Sequence, residues 1–361
     1  MKNFVSNFIF LPKFFYFLSF FENNKKLIRP YFGINLFKKG GPYIRSKRII
    51  KEFGNHIFSP NIIYAQSFWT VKELSDAVIY AKKKNIPIIF NQNGWFYSAW
   101  SNNFKVRNKA IVNVHKVSDL VLYQSNFCRK ASLYLNNYVA PNNKIMFNDV
   151  PNFNLKKKSK FNNFLLSGIF DNNSDHILFP ALRSFEYLHK TSSLNYYKCK
   201  LIIAGVFKDS AKKSHWYERY KELLNNLINK NICEFRGEYD EENFNKKFSD
   251  VTFSLHLKYK DPCPNAVIER IKKGIIHVYS NSGGTPELIK DSGVKINVKN
   301  TWSKLVPVNY KVLSKKIIFA IKNKKKLYTK TLLIKKKFSY NNYIKKHKIY
   351  FRKIIKNYKI Q

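Results

Sequence analysis

Cysteine is scarce in this sequence of 361 residues, and several familiar catalytic motifs are missing from it. The four cysteines include no CxxC pair, so a zinc site is not predicted. The eight histidines show no HExxH spacing, and neither a P-loop nor a GxGxxG motif is present. These absences remove the usual signatures of zinc enzymes, P-loop proteins and dinucleotide-binding domains. Because no cleavable signal is recognisable, we expect reduced thiols and a cytoplasmic location.

Acidic residues are the second scarce class. The chain has 22 of them against 66 lysines and arginines, and none follows Asp291. The net charge of +44 supports two interpretations: a basic surface that meets nucleic acid or anionic lipid, or the composition bias of an AT-rich genome. A hydrophobic content of 45% and an aromatic content of 17% exclude a disordered chain, and the length suffices for two domains.

Both ends of the chain depart from the pattern of the middle. Residues 1–26 are an apolar, aromatic extension, in which Phe4–Phe21 is too short and interrupted to predict a membrane-spanning helix. We interpret it either as a segment lying on a membrane surface or as a buried or poorly ordered extension. Residues 305–361 are a lysine-rich tail with a helical pattern, ending in a basic amphipathic helix around Phe351. That helix suits an anionic membrane surface, or else packs its apolar stripe on the protein.

Between these ends, apolar runs alternate twice with amphipathic stretches, first over residues 27–150 and again over residues 164–304. The polar, basic segment 151–163 is the predicted linker. The predicted strands are 31–36, 61–64, 86–90, 120–123 and 145–147, then 164–169, 199–204, 232–235, 251–255, 275–279 and 294–298. The predicted helices are 43–53, 71–84, 105–117 and 126–135, then 175–188, 212–228, 241–248 and 265–272. This alternation predicts two doubly wound α/β domains, with ligands beyond the carboxyl ends of the strands.

The stretch Lys258–Glu287 holds most of the chemistry that we expect to face a ligand. It reads as loop, helix, strand and loop. Pro262 and Pro264 keep the first part out of a helix, since proline lacks an N–H donor and pushes the preceding residue into an extended conformation. A helix then begins near Asn265 and carries Glu269 about one turn in. A polar loop that leads into a helix N-terminus is suited to an anion.

Several segments, taken in order, resemble the retaining glycosyltransferases of the group 1 (family 4) type. They are Gly40-Gly41-Pro42, Ile86–Gly94, Asp119–Cys128, Ile145–Pro151, Asp261–Glu269 and Gly283–Leu288. Each segment is short, but together they span roughly residues 30–300 in a shared order and spacing. The resemblance implies the GT-B fold, in which two doubly wound Rossmann-like α/β domains face a cleft, here followed by a C-terminal helical tail.

The resemblance also assigns roles to individual residues. The family has two glutamates eight positions apart, of which the first contacts the donor sugar and the second accepts hydrogen bonds from the nucleotide ribose. Asp261 and Glu269 stand at these positions, so the first acid is one methylene shorter here. Asp261 is predicted to be catalytic together with Asn93, which follows a strand of the first domain and would orient the sugar or the acceptor. No metal and no cofactor are expected.

The remaining predicted positions concern the donor. Backbone amides at the start of the helix near Asn265 would face the diphosphate or sugar, and the glycine-rich loop would let backbone approach the phosphates from the first domain. Two positions after a strand ending at Phe235 are where the family holds the nucleobase. The predicted donor-binding residues are Gly40, Gly41, Gly168, Gly237, Tyr239, Pro264, Asn265, Ala266 and Glu269.

Two departures from the family pattern matter. A basic pair that usually follows the first strand of the second domain is absent from the loop Ser167–Asp175, and an uncompensated diphosphate is costly. Arg183, Lys258, Lys260 or a lysine of the first domain are the candidate replacements. Asn93 stands where the family commonly has a histidine, and it can donate a hydrogen bond but cannot carry a proton. Front-face attack, with the donor phosphate taking the acceptor proton, requires no protein base.

We therefore expect a retaining, metal-independent hexosyltransferase that uses a nucleoside-diphosphate sugar. Its acceptor would be a hydroxyl of a surface polysaccharide or glycolipid precursor, reached in the cytoplasm or at the inner face of an anionic membrane. One alternative is a non-catalytic GT-B protein that binds a sugar or nucleotide, which the missing basic pair motivates. The other is a polyanion-binding protein, suggested by charge alone. No recognition fold supports it, so no specific nucleic acid partner is expected.

Overall fold

The computed structural model describes residues 27–33, 41–151, 159–240 and 242–358. The chain divides into two compact units. Unit 1 is Met1–Val150 together with Ser339–Gln361, and unit 2 is Pro151–Phe338. The N-terminal extension of residues 1–26, Gly40 and residues 152–158 of the predicted linker lie outside the described residues.

Unit 1 is built on a five-stranded parallel sheet whose strands follow one another in sequence order. The strands are β1 (Pro30–Tyr31), β2 (Ile62–Gln66), β3 (Ile88–Gln92), β4 (Leu120–Tyr123) and β5 (Asn143–Ile145). The helices between them are α1 (Gly41–Phe53), α2 (Val71–Lys84), α3 (Phe104–Lys116) and α4 (Asn126–Asn136). Every residue of β2, β3 and β4 is buried, as expected for strands covered on both faces.

Local sequence accounts for the ends of α2. The hydroxyl of Thr70 accepts from the backbone N–H of Glu73 at 3.2 Å, and the Glu73 carboxylate accepts from the N–H of Thr70 at 2.7 Å. This reciprocal capping box satisfies two N–H groups that a helix start leaves open. Asn85 ends the helix in the left-handed region, at φ 50°. The predicted bounds of this helix, residues 71–84, are confirmed.

Unit 2 is built on a six-stranded parallel sheet in the order β11-β10-β9-β6-β7-β8. The strands are β6 (Asn163–Phe170), β7 (Leu201–Phe207), β8 (Cys233–Phe235), β9 (Val251–His256), β10 (Ile276–Ser280) and β11 (Val294–Ile296). The order reverses between β6 and β9. The loops after these two strands therefore lie at the topological switch point, where open α/β sheets bind ligands.

Nine α-helices are described in unit 2. They are α5 (Asp175–Lys190), α6 (Ser193–Tyr197), α7 (Asp209–Lys212), α8 (Tyr217–Asn229), α9 (Phe244–Lys247), α10 (Asn265–Lys272), α11 (Thr285–Ile289), α12 (Tyr310–Lys322) and α13 (Lys324–Lys335). A large apolar cluster fills the space between the sheet and α5, α8 and α12. At its centre the rings of Phe164 and Phe253 stack with centroids 4.5 Å apart.

Two predicted helices of unit 2 are shorter in the structure. The predicted helix 212–228 is divided into α7 and α8, because Trp216 turns inward and donates from its indole N–H to the carbonyl of Asn172 at 2.9 Å. The predicted helix 241–248 is reduced to α9. Asp240 and Asn243 bond to each other through side chain and backbone, at 2.8 and 3.0 Å, and form a turn before it.

The C-terminal segment, predicted as one tail over residues 305–361, divides between the units. Helices α12 and α13 belong to unit 2, whereas the last described helix, α14 (Tyr340–Tyr358), belongs to unit 1. Phe351 of α14 is fully buried, with ring centroids 5.1 Å from Phe53 and 5.7 Å from Tyr64. The apolar stripe of α14 thus packs on the protein, which decides between the two interpretations of that helix. Within the described ranges, no helix is long and apolar enough to cross a membrane.

Candidate functional site

The loop after β9, which carries Asp261, is fastened to the loop after β10. The N–H of Gly284 donates to the carbonyl of Asp261 at 2.8 Å, and the N–H of Lys260 donates to the Ser282 hydroxyl at 3.0 Å. Gly283 lies against the same backbone at φ 72°, where a Cβ atom would be 2.3 Å from the Asp261 carbonyl oxygen. Only glycine fits both this approach and this conformation. The two loops therefore form one rigid edge at the switch point.

A lysine accompanies the predicted catalytic carboxylate at this edge. Lys258 Nζ lies 3.4 Å from an oxygen of Asp261, whose side chain is only 14% exposed. The charge of Lys258 also contributes, after burial and the charge of Arg270, to a lowered pKa of His256. Lys258 was one of three named candidates to replace the missing basic pair, and it lies beside the expected donor contact.

The other two candidates are engaged elsewhere. Lys260 donates to the side-chain oxygen of Asn300, and its ammonium lies 3.6 Å from the centroid of the Trp302 ring. Burial lowers the pKa of Lys260 to about 8. Arg183 forms an ion pair with Glu186 at 2.7 Å on the surface of α5. Lys258 is therefore the best placed of the three.

Helix α10 presents its N-terminus to the Asp261 loop. Its N-cap residue is Pro264, which provides no side-chain cap, and the pyrrolidine has no acceptor to offer. Asn265 and Ala266 begin the helix and are half-buried, and Glu269 follows one turn later, also half-buried. The N–H groups and the dipole of a helix N-terminus favour an anion.

Arg270 is a buried cation on the same helix that sequence reasoning missed. It is 1% exposed, and it donates to the hydroxyls of Ser254, at 2.8 Å, and of Ser167. It has no carboxylate partner among the described residues. Glu269 and Ile271 flank Arg270 in the sequence, and no local signal distinguishes it from the other basic residues. A buried charge without a carboxylate partner is costly.

Two glycines on neighbouring strands and a third just after the next strand leave a strip of the sheet edge without side chains. Gly168 of β6 pairs with Gly205 of β7, and the N–H of Gly205 donates to the carbonyl of Gly237 at 2.8 Å. A Cβ atom on Gly205 would lie 1.9 Å from the carbonyl oxygen of Gly168, whereas a Cβ on Gly237 would meet no atom within 4 Å. Gly168 and Gly237 were predicted donor contacts, and the structure brings them together through Gly205, which the sequence did not single out.

The ring of Tyr239 packs against other aromatic rings of unit 2. Its centroid lies 5.0 Å from that of Phe248 and 5.6 Å from that of Phe244. Its hydroxyl is 2.7 Å from that of Ser167, which Arg270 also contacts. The tyrosine thus helps to position the serine–arginine pair beside the glycine strip. Its predicted contact with a nucleobase stays a prediction.

In unit 1, amide side chains converge at the carboxyl ends of the strands around a buried arginine. Arg45, 2% exposed, donates to the side-chain oxygens of Gln66 at 2.7 Å, Asn93 at 2.8 Å and Asn148 at 3.2 Å. Gln124 also donates to the Asn93 oxygen, at 2.8 Å. Two donors therefore fix the Asn93 oxygen, while its side-chain NH₂ is buried without a partner. Arg45 has no carboxylate partner within the described ranges.

A hydrogen-bonded chain connects this amide cluster to the C-terminal helix. Asn91 donates from its side chain to the Tyr64 hydroxyl at 2.5 Å, and this hydroxyl lies 3.0 Å from Nε2 of His347 on α14. His347 Nδ1 is 3.0 Å from the carbonyl of Tyr343, so Nδ1 carries the proton and Nε2 accepts from Tyr64. Burial lowers the pKa of His347 to about 3, which keeps the ring neutral.

The buried histidines predict acid sensitivity. Burial is the largest cause of a pKa of about 3 for His115, His256 and His347, against an ordinary value of 6.5. As the pH falls from about 6.5 toward 3, the unfolded chain takes up protons that the folded chain does not. Each such histidine then lowers the free energy of unfolding by up to about 1.4 kcal/mol per pH unit.

We expect His256→Gln to flatten the decline in stability by about that amount between pH 6 and pH 5. Urea unfolding at the two pH values measures it. His189→Gln is the matched control, because His189 is exposed on the last turn of α5. An unchanged slope in His256→Gln would contradict the assignment.

The predicted residues fall on two separate sheet edges. In unit 2, the predicted residues lie near the carboxyl ends of strands or in the first turns of α10: Gly168, Gly237, Asp261, Pro264, Asn265, Ala266 and Glu269. Asn93 lies in unit 1, where Gly41 is the first residue of α1. Gly40 lies outside the described residues. No group of three or more histidine, cysteine or acidic residues in the described part of the chain could hold a metal ion.

Comparisons with known proteins agree with this architecture. The chain is similar to the HepE protein of Anabaena, solved with UDP and glucose, at 15% identity and a TM-score of 0.61, covering 84% of this chain and 79% of that one. It is also similar to sucrose-phosphate synthase from Thermosynechococcus elongatus, at 13% identity and a TM-score of 0.64, covering 88% and 78%. A glycosyltransferase from Rickettsia africae gives 18% identity and a TM-score of 0.58, covering 90% and 84%.

A sequence search of curated proteins finds no match. The family model described as glycosyl transferases group 1 matches residues 153–334. That match covers β6 to α13, and so includes the Asp261 loop, α10 and the glycine strip. The predicted GT-B fold of two parallel Rossmann-like α/β units is confirmed, and so is a C-terminal helix. The chain belongs to the group 1 glycosyltransferases.

Proposed function

We propose that this glycosyltransferase moves a hexose from a nucleoside-diphosphate sugar to a hydroxyl of a polysaccharide or glycolipid precursor. The transfer would retain the anomeric configuration and need no metal. HepE, which has the same fold, has been solved with UDP and with UDP-glucose, which supports a nucleotide-sugar donor. The net charge of +44 supports an acceptor presented at an anionic membrane surface.

The observation that carries the proposal is the edge formed by the Asp261 loop and α10. Its features suit the three parts of such a donor. The carboxylate of Asp261 would accept from sugar hydroxyls, and that of Glu269 from the paired hydroxyls of the ribose. The N–H groups at Asn265 and Ala266, with no side-chain cap before them, would meet the diphosphate. Lys258 would supply positive charge beside Asp261.

Retention follows in this scheme from front-face attack. As the bond from the anomeric carbon to the phosphate oxygen breaks, the acceptor oxygen approaches the same face and its proton passes to the departing phosphate. The protein then acts by positioning and by stabilising the negative charge that develops on the diphosphate. Asn93, whose oxygen is fixed by Arg45 and Gln124, would donate from its NH₂ to a sugar hydroxyl.

A carboxylate-to-alanine exchange tests the donor site. Glu269→Ala should weaken UDP binding about tenfold, or about 1.4 kcal/mol, because two hydrogen bonds to the ribose are lost. A thermal-shift screen of UDP-, GDP- and ADP-sugars finds the donor first, since a ligand that binds the folded state raises the melting temperature. Calorimetry on the variant then measures the loss. Glu222→Ala is the control, because Glu222 is exposed on α8.

Turnover of the donor that binds tests whether the transfer is independent of metal and retains the anomeric configuration. Transfer should persist with excess EDTA, and the NMR coupling of the anomeric proton should show the donor configuration in the product. Equal affinity of Glu269→Ala and Glu222→Ala for UDP would contradict the proposed ribose contact. A product of inverted configuration would contradict front-face attack.

A further inference from the structure

A cavity of about 590 Å³ lies in unit 2 at the amino ends of two strands. Val251, the first residue of β9, and Ile276, the first residue of β10, both line it. Asp261 follows the other end of β9, and the six residues of that strand separate its two ends by about 17 Å. The cavity is therefore distinct from the proposed donor site, and its volume falls in the range of small-molecule sites.

The lining contains a group of apolar residues, the floor, and a group of basic residues, the rim. The floor consists of Val251, Ile275, Ile276, Tyr328 and Leu332, and the rim consists of Lys273, Lys322, Lys324 and Lys325. No acidic residue is among the lining residues. A pocket with this division suits a ligand that has an apolar body and a negative head.

Two of the rim lysines are held by the protein itself. Lys324 Nζ donates to the Ser159 carbonyl at 3.2 Å and to the side-chain oxygen of Asn162 at 3.1 Å, and burial lowers its pKa. Lys273 is buried, and its Nζ donates to the side-chain oxygen of Asn245 at 3.3 Å. These two lysines fix the shape of the rim and contribute positive potential.

The other two rim lysines are exposed at a helix start that lacks negative charge. Lys322 ends α12, and Lys325 lies in the first turn of α13. That turn contains no acidic residue, and the N-cap residue, Asn323, makes no side-chain cap. Lys322 is in the last turn of α12, where the dipole favours a cation, whereas Lys325 opposes the dipole of α13, and the neighbouring cations repel each other. A bound anion would relieve both effects.

We propose that this cavity binds an organic phosphate, with the apolar group on the floor at Ile275 and Ile276. The phosphate would meet Lys322, Lys325 and the N-terminus of α13. Two sources share this chemistry: a soluble phosphomonoester, and the headgroup of a lipid of the phosphatidic acid type. The inference concerns a site apart from sugar transfer and does not depend on the donor.

Titration calorimetry with 1-naphthyl phosphate tests the site directly. We expect saturable binding that persists in the presence of the nucleotide-sugar donor, and weaker binding of inorganic phosphate, which cannot use the floor. The double variant Lys322→Gln/Lys325→Gln should bind naphthyl phosphate at least tenfold more weakly. Thr329→Phe, which fills the cavity from α13 without changing charge, should weaken it as well. Vesicles of phosphatidylcholine with and without phosphatidic acid form the lipid arm.

The control is Lys82→Gln/Lys83→Gln, which removes the same charge from exposed positions on α2. Equal loss in the control and rim variants would overturn the proposal, and so would an unchanged affinity in Thr329→Phe or the absence of saturable binding. Vesicle binding that needs phosphatidic acid and is lost in the rim variant assigns the lipid source. Naphthyl phosphate binding without vesicle binding assigns the soluble source.

Discussion

Replacing Gly283 with alanine is expected to destabilise unit 2 by about 4 kcal/mol and to lower transferase activity on the order of 100-fold. The added Cβ would lie 2.3 Å from the carbonyl oxygen and 2.7 Å from the nitrogen of Asp261. Both atoms are backbone, and neither can rotate away. The Asp261 loop must therefore move, and with it the carboxylate that is proposed to hold the sugar. Urea unfolding and a transfer assay measure the two effects.

Gly237→Ala separates steric conflict from backbone strain. Gly237 has a similar φ, 62° against 72° for Gly283, but a Cβ there would meet no atom within 4 Å. Its loss of stability should thus be confined to the strain of a left-handed alanine, about 1 kcal/mol. If both variants lose the same stability, the close approach of Gly283 to the Asp261 backbone does not account for the loss.

Replacing Arg45 with methionine is expected to cost about 2 kcal/mol of stability but about 100-fold in activity. The stability loss is moderate because two of the three oxygens that Arg45 serves keep a second donor. The Ser46 hydroxyl lies 3.0 Å from the Gln66 oxygen, and Gln124 still donates to Asn93 at 2.8 Å. Removing the buried charge also recovers part of its desolvation cost. Activity suffers more, since one of the two bonds that fix the Asn93 oxygen is lost.

The comparison of Arg45→Met with Arg45→Lys sharpens this test. Lysine keeps the charge but cannot donate to two oxygens at once through a planar guanidinium. Arg45→Lys should therefore recover only part of the stability that Arg45→Met loses, although its net charge is that of the unmodified protein. Arg129→Met is the matched control, because the Arg129 side chain is exposed and makes one long bond, 3.4 Å, to Asn126. A normal rate in Arg45→Met would show that Asn93 does not need its fixed orientation, or does not act on the sugar.

The stretch Lys258–Glu287 shows how far local sequence reaches. Its order of loop, helix, strand and loop is confirmed, and α10 has the predicted bounds, residues 265–272. Prolines, a helix start and an apolar run are local signals, so the order of the elements could be predicted from them. The bonds that fasten its two loops follow from the pairing of β9 with β10, which brings together residues more than twenty positions apart. The steric need for glycine at position 283 can be inferred only once that pairing is known.

The two buried arginines show why the other site residues could not be predicted from the sequence. In a chain with 66 basic residues, a single arginine carries almost no information about its place. Arg45 and Arg270 differ from the others only in what surrounds them, which is amide and hydroxyl oxygen at the carboxyl ends of strands. Gly205 was hidden for the same reason, since its conflict would be with an atom of a neighbouring strand.

The return of α14 to unit 1 sets an order for synthesis on the ribosome. Unit 2 is contiguous, from Pro151 to Phe338, so it can fold as soon as Phe338 has left the exit tunnel. Unit 1 emerges first but lacks Phe351, Ile354 and Ile355 of its apolar core until α14 appears. That part of its core stays open while the whole of unit 2 is translated. Unit 1, whose first residues emerge before unit 2, is thus the last of the two units to complete its core.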